Sequence, residues 1–155
     1  MQTSPIIPAH LLLERLMDQL QLFSFQWSFE LIGHYGPCLR LAAQHPSTGD
    51  LVMWVEDNEI TLVIEFITHS HFNCPYYLLN SSVEAQAKAI AQEAADYVLD
   101  VLLDRILFEM EWQGDRIASV SNIPLMDGIP PLEELPQGVR RERFLWSGPC
   151  QESPL

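Results

Sequence analysis

Basic side chains are scarce in this chain: 8 Lys and Arg stand against 21 Asp and Glu, a formal net charge of −13 over 155 residues. Such an excess repels phosphate, so a nucleic acid or an anionic membrane would need a local basic patch. The sequence offers one, Arg140, Arg141 and Arg143. Neither partner is expected. Cysteine is sparse too: Cys38, Cys74 and Cys150 are odd in number, far apart and without a CxxC pair. A disulfide framework or structural zinc site therefore has no support, and the thiols read as reduced. Every apolar run meets Glu, Asp or Arg before the ~20 residues that a membrane span requires. Residues 1–8 lack the basic opening, apolar stretch and small-residue cleavage site of a secretory signal, so a cytoplasmic protein is expected. Glycine is too thinly spread to build a phosphate loop, and Gly33-His34-Tyr35-Gly36 is no dinucleotide fingerprint.

Apolar residues are plentiful at 48% of positions, and 155 residues suffice to bury about two thirds of the unfolded surface around one core. Over residues 9–20, Leu12, Leu16 and Leu20 recur every four positions, with Glu14, Arg15 and Asp18 elsewhere on the wheel. This predicts a short amphipathic helix. From residue 22 the period becomes two: Phe23, Phe25, Trp27, Phe29 and Leu31 alternate with polar residues, the pattern of a strand with one wet face. Residues 38–43, 51–56 and 60–67 read as further strands, separated by a turn at 33–37, a break at 45–50 and a connection at Asp57-Asn58-Glu59. Short links predict that the four strands pair as an antiparallel meander.

After a loop over 68–80, Ser81 precedes Glu84 by three residues, the spacing of a reciprocal helix-start cap. A long helix is expected to come next, as far as Trp112. Its apolar arc, which includes Ala87, Ile90, Ala94, Val98, Val101 and Leu102, is too broad for one sheet face, so a second element must press on it. The first helix, the C-terminal segment and another subunit are the candidates, the last giving a homodimer through the long helix. Glu93, Asp96, Asp100 and Asp104, spaced by three, four and four, fill the remaining sector as an acidic ridge. Beyond residue 120, six of the 11 prolines interrupt regular structure, yet Ile123, Leu125, Leu132, Phe144 and Trp146 are too apolar for a solvated tail. The expectation is an α+β domain over 1–120, its sheet covered on one face by the two helices, with an irregular, Pro-rich extension over 121–155 packed on it and frayed at 151–155.

Three groupings bear on chemistry. His69 and His71 come after the fourth strand, and if that strand continues, both imidazoles share a face about 7 Å apart in Cα spacing, with Cys74 near. No HExxH or other ligand set completes the pair, so no metal is expected, and a metal-dependent enzyme using His69 and His71 stands as an alternative. Cys38, His34 and Asp50 are the residue types of a thiol nucleophile, base and orienter, but Cys38 opens an apolar run and reads as core. The acidic ridge is the sharper feature, because a field of 13 negative charges steers a basic partner and repels acidic competitors. Tyr76 and Tyr77, in a loop beside Pro75, supply aromatic anchors.

A short acidic domain with a meander, a loop carrying His69-Ser70-His71-Phe72 after the last strand, and a long helix after that loop resembles the small immunity proteins of bacterial toxin and immunity pairs over roughly residues 27–110. The resemblance implies stoichiometric neutralisation of a cognate toxin, commonly a basic nuclease, by an acidic surface, and carries over no residue. The function expected is non-catalytic binding of a basic protein, a toxin among the candidates, through Glu93, Asp96, Asp100, Asp104, Tyr76 and Tyr77, with no cofactor. A dimeric secretion chaperone or adaptor, holding an extended segment in apolar grooves, is the rival binding protein.

Overall fold

The computed structural model of the protein describes residues 6–31 and 36–150. Helix α1 covers Ala9–Leu20, as the four-residue spacing predicts, and buries Leu12, Leu16 and Leu20. Its start is held by a distant turn. Asp57 Oδ1 accepts from the Ala9 amide at 2.9 Å, while Asn58 exchanges bonds with the Ile7 backbone at 2.8 and 2.9 Å. A helix beginning after Pro8, with no side-chain cap of its own, thus has a first-turn donor satisfied from outside.

Strands β1 (Ser28–Leu31), β2 (Pro37–Leu41), β3 (Leu51–Glu56), β4 (Glu59–Ile64) and β5 (Thr68–Asn73) form one antiparallel sheet in chain order. The meander has five strands, not four. Residues 68–73, expected as loop, pair with the whole of β4, because the turn after Ile64 closes with the Ile67 amide on the Ile64 carbonyl at 2.9 Å. The first strand is shorter than expected: its pairing with β2 begins at Ser28 opposite Arg40, and ahead of it Phe23 and Phe25 pack edge to face. The turn expected at 33–37 lies largely outside the described residues, as do the start at 1–5 and the end at 151–155.

Register decides which residues meet the helices. Leu39, Met53 and Leu62 align across three strands, as do Leu41, Leu51 and Ile64, and all six join the core. On the opposite face run Cys38, Trp54, Thr61 and His71, and beside them Arg40, Val52, Val63 and His69. Helix α2 (Val83–Leu102) packs on β4, β5 and α1, and contributes Ala87, Ile90, Ala94, Val98 and Val101 to the same core. Burying a side chain such as Ile90 or Leu62 is worth about 1.5–3 kcal/mol. The cap is Ser82, not Ser81: Ser82 Oγ accepts from the Ala85 amide at 3.2 Å, and the Ser81 carbonyl instead accepts from Gln86 Nε2 at 2.9 Å.

The helix stops ten residues short of Trp112. Asp104 adopts φ 55°, the Asp104 amide reaches the Val101 carbonyl, and the Arg105 amide reaches the Asp100 carbonyl at 2.8 Å. This is a Schellman ending with aspartate in the place usually taken by glycine. Beyond it the chain builds a second antiparallel sheet: β6 (Ile106–Gln113), β7 (Arg116–Pro124), β8 (Val139–Leu145) and the two-residue β9 (Gly148–Pro149), in the order β7-β6-β8-β9. The expected junction at residues 120 and 121 falls inside β7. The prolines among the described residues did not prevent strands because Pro124 sits at the end of β7, Pro130, Pro131 and Pro136 in the connecting loop and Pro149 in β9, where no central ladder amide is needed.

One face of the second sheet carries Ile106, Phe108 and Met110 into the shared core, with Trp112, Val120 and Phe144 packed against it. Its other face pairs Glu109 with Arg143 at 2.8 Å and Glu111 with Arg141 at 2.6 Å. The loop over 125–138 is tied there, because Arg143 also donates to the carbonyls of Pro130 at 2.7 Å and Pro131 at 3.4 Å. The fold is thus α+β, with two α-helices and two antiparallel sheets among the described residues. Among the described residues no helix is long and apolar enough to cross a membrane.

Candidate interaction surface

Strand β5 runs into Cys74-Pro75, where Pro75 starts a single 3-10 turn over Tyr76–Leu78 with the Leu78 amide on the Pro75 carbonyl at 2.9 Å. This turn thrusts both tyrosines outward, leaving Tyr76 89% and Tyr77 80% exposed. Between the end of β5, the turn and α2 lies a groove of about 620 Å³, lined by His71, Asn73, Pro75, Tyr77, Ala89, Gln92, Glu93 and Asp96. Three of the six residues expected at a binding surface therefore converge: Tyr77, Glu93 and Asp96. Gln92 Nε2 donates to Asp96 Oδ1 at 2.8 Å, which holds that carboxylate on the helix surface at the groove.

The other three stand apart. Tyr76 is beside the groove but does not line it. Asp100 lies further along the helix, 3.3 Å from Arg105 Nη1. Asp104 has left the helix, and its Oδ1 accepts from the Ser147 amide at 3.0 Å, tying the second sheet to the end of α2. The ridge of four is in fact a pair facing the groove, a third member with a local cation, and a fourth with a structural bond. His71, Asn73 and Gln92 were missed at the groove. Only the four-residue spacing of Gln92 and Asp96 signalled any of them.

His71 is the best organised polar group there. Its Nδ1 lies 2.6 Å from Glu59 Oε1 and 3.2 Å from Thr61 Oγ1, and Thr61 Oγ1 donates to the same carboxylate oxygen at 3.0 Å. An ionised carboxylate only accepts, so Nδ1 carries the proton in this arrangement. The bond from His71 is the main reason that the Glu59 carboxyl sits below the usual carboxylate range, with Thr61 adding to it and burial opposing both. His69 meets His71 edge to face, ring centres 5.2 Å apart. Both imidazoles also line a hollow of about 570 Å³ on the sheet face away from the helices, with Trp54, Val63, Phe66 and Ile117 among its walls.

Among the described residues no three His, Cys, Asp or Glu converge as a metal site. Cys74 packs against the core and donates to the Pro75 carbonyl at 3.5 Å; burial pushes its thiol up. Cys38 is buried opposite Trp54, its thiol likewise raised chiefly by burial, while Asp50 is engaged by Arg40 and the Ala43 amide. A thiolate nucleophile is disfavoured at both. His34, the remaining member of that grouping, lies outside the described residues. The basic cluster is spent internally: Arg141 and Arg143 pair with Glu109 and Glu111, and Arg140 pairs with Glu142 and stacks 4.9 Å from the Trp112 ring centre. Comparisons with protein-family models, curated proteins and solved structures find no match to this chain.

Proposed function

We propose that this chain is a non-catalytic protein-binding domain that takes a basic protein partner at the groove between β5 and α2, in the manner of an immunity-type inhibitor of a basic toxin. The observation that carries the reading is the convergence of Tyr77, from the turn after β5, with Glu93 and Asp96 of α2 on one groove. An exposed aromatic beside two carboxylates suits an Arg or Lys side chain, which the ring attracts through its face and the carboxylates through charge. The wider field has the same sign. Arg15, Arg40, Arg105, Arg140, Arg141 and Arg143, six of the 8 basic residues, each lie within ion-pair reach of a carboxylate of the same chain. They build no opposing positive surface, so long-range steering favours cationic partners.

The test begins with capture of the partner from the source cell and continues with association kinetics. Glu93→Lys with Asp96→Lys is expected to slow association with a basic partner ~10-fold or more at low salt, with the thermal midpoint little changed. Association rates that ignore both the substitutions and the salt concentration would remove the groove from the mechanism. A salt-resistant dimer of the chain itself, with an extended partner segment bound, would favour the chaperone reading instead.

A further inference from the structure

The two histidines of β5 have a geometry that the acidic-groove reading does not use. Strand alternation places His69 and His71 on the same face, opposite Val63 and Thr61 of β4, and both rings line the hollow beside Trp54. Their ring centres are 5.2 Å apart with planes at 85°. Two imidazoles sharing one ion at a metal–nitrogen distance of about 2.0–2.1 Å place each ring centre about 3.2 Å from the metal, and so about 4.5–5.2 Å from each other for angles between square and tetrahedral. The observed separation falls at the tetrahedral end of that interval, and with the His71 ring held by Glu59, it is His69 that turns about its soft terminal torsion from the edge-to-face pose to aim a nitrogen at the shared ion.

The second observation is the Glu59 carboxylate. Proteins that hold a metal on histidine commonly tie the other ring nitrogen to a carboxylate, which fixes the tautomer and ring orientation and makes the ligating nitrogen more basic. Glu59 does this for His71 by accepting the Nδ1 proton in a hydrogen bond at 2.6 Å, and Thr61 braces the same oxygen. The Nε2 lone pair is thereby the one available for a ligand.

We propose that His69 and His71 form a two-imidazole chelate for a borderline divalent transition-metal ion, with Glu59 as the positioning residue that fixes the His71 ring. With two nitrogens from the protein, water or a ligand from outside fills the remaining positions. Neutral imidazoles suit Cu2+, Ni2+ and Zn2+, and the Irving–Williams order places Cu2+ tightest. The proposal does not depend on the basic partner, and its test needs none.

Titration of the full chain with Cu2+ by calorimetry near neutral pH is expected to show one site per chain that binds tighter than Zn2+ does. His69→Gln and His71→Gln should each weaken that site ~10-fold or more, and Glu59→Gln by about 10–100-fold. The His69 side chain is exposed and outside the buried core, so its variant tests ligation without threatening the fold. Absence of a tight site in the parent chain, or a site that survives His69→Gln and His71→Gln at full affinity, would overturn the assignment. Parental affinity in Glu59→Gln would overturn the role given to Glu59.

Discussion

Replacing Arg143 with Met isolates the interaction that fastens the proline-rich segment. The guanidinium is 6% exposed and its partner Glu109 12%, so neither is solvated as a surface pair would be. The substitution removes a charge-assisted bond at 2.8 Å and two bonds to the carbonyls of Pro130 and Pro131. It leaves Glu109 with Arg141 Nε, 3.4 Å away. Breaking one side of a buried pair costs about 3–5 kcal/mol, and the surviving Arg141 contact places this case near the lower end. A loss of about 3 kcal/mol is a large share of a total of about 5–15, and corresponds to about 6–12 °C in Tm for a domain of this size. Urea unfolding reads the loss directly, and thermolysin cleavage over 125–138 should rise with it, since the loop loses its anchor. Glu109→Leu added to Arg143→Met should recover part of the loss, because it removes a buried carboxylate left with only its 3.4 Å contact to Arg141, while the bonds to the Pro130 and Pro131 carbonyls stay broken. A single variant within about 0.5 kcal/mol of the parent would refute the reasoning, as surface substitutions fall in that range.

Named contacts set three further outcomes. Glu59 has a folded-state value below the ordinary ~4.3, so its contribution to stability is present above that pH and is lost as pH falls through the folded value. Glu59→Gln should therefore flatten the acid limb of a plot of Tm against pH, and an unaltered limb would contradict it. Gly49→Ala should cost about 2 kcal/mol or more in chemical unfolding, because φ is +70° and an added Cβ would meet Glu65 Cβ at 2.7 Å and the Phe66 amide nitrogen at 3.2 Å. At Asp104, Asn retains both tolerance of φ 55° and an acceptor for the Ser147 amide, Gly keeps only the first and Ala neither. The unfolding free energies should rank Asn above Ala, with Gly between them, and a variant order led by Ala would exclude this account.

Legibility tracked how local each determinant is. Helix α1 and strand β3 are read with their observed bounds, α1 because Leu12, Leu16 and Leu20 are buried at a constant spacing of four, β3 because its apolar run lies between the turn residues Gly49-Asp50 and Asp57-Asn58. Strand β5 was not, since only Phe72 of its six residues is buried and Thr68, His69, Ser70, His71 and Asn73 carry no apolar alternation. Its pairing is imposed by β4. The segment from Leu102 to Met110 fits both periods: Leu102, Ile106 and Met110 are four apart, while Ile106, Phe108, Met110 and Trp112 are two apart. The left-handed Asp104 settles it, and an aspartate there is a far weaker signal than a glycine.

The candidate groove shows the same division. Glu93 and Asp96 are neighbours by helix spacing alone, so sequence places them on one face; that Tyr77 and His71 meet them depends on β5 passing alongside α2, a contact between residues about 20 positions apart. The Glu59 bond to His71 is less local in kind, because it requires the β4 to β5 register that sets Thr61 opposite His71. A shift of that register by one residue would turn both histidines to the helix face and bury them. Phe72, which fills the core in the observed register, is thus the residue that fixes which nitrogens reach solvent, and a packing choice governs the chemistry available at this surface.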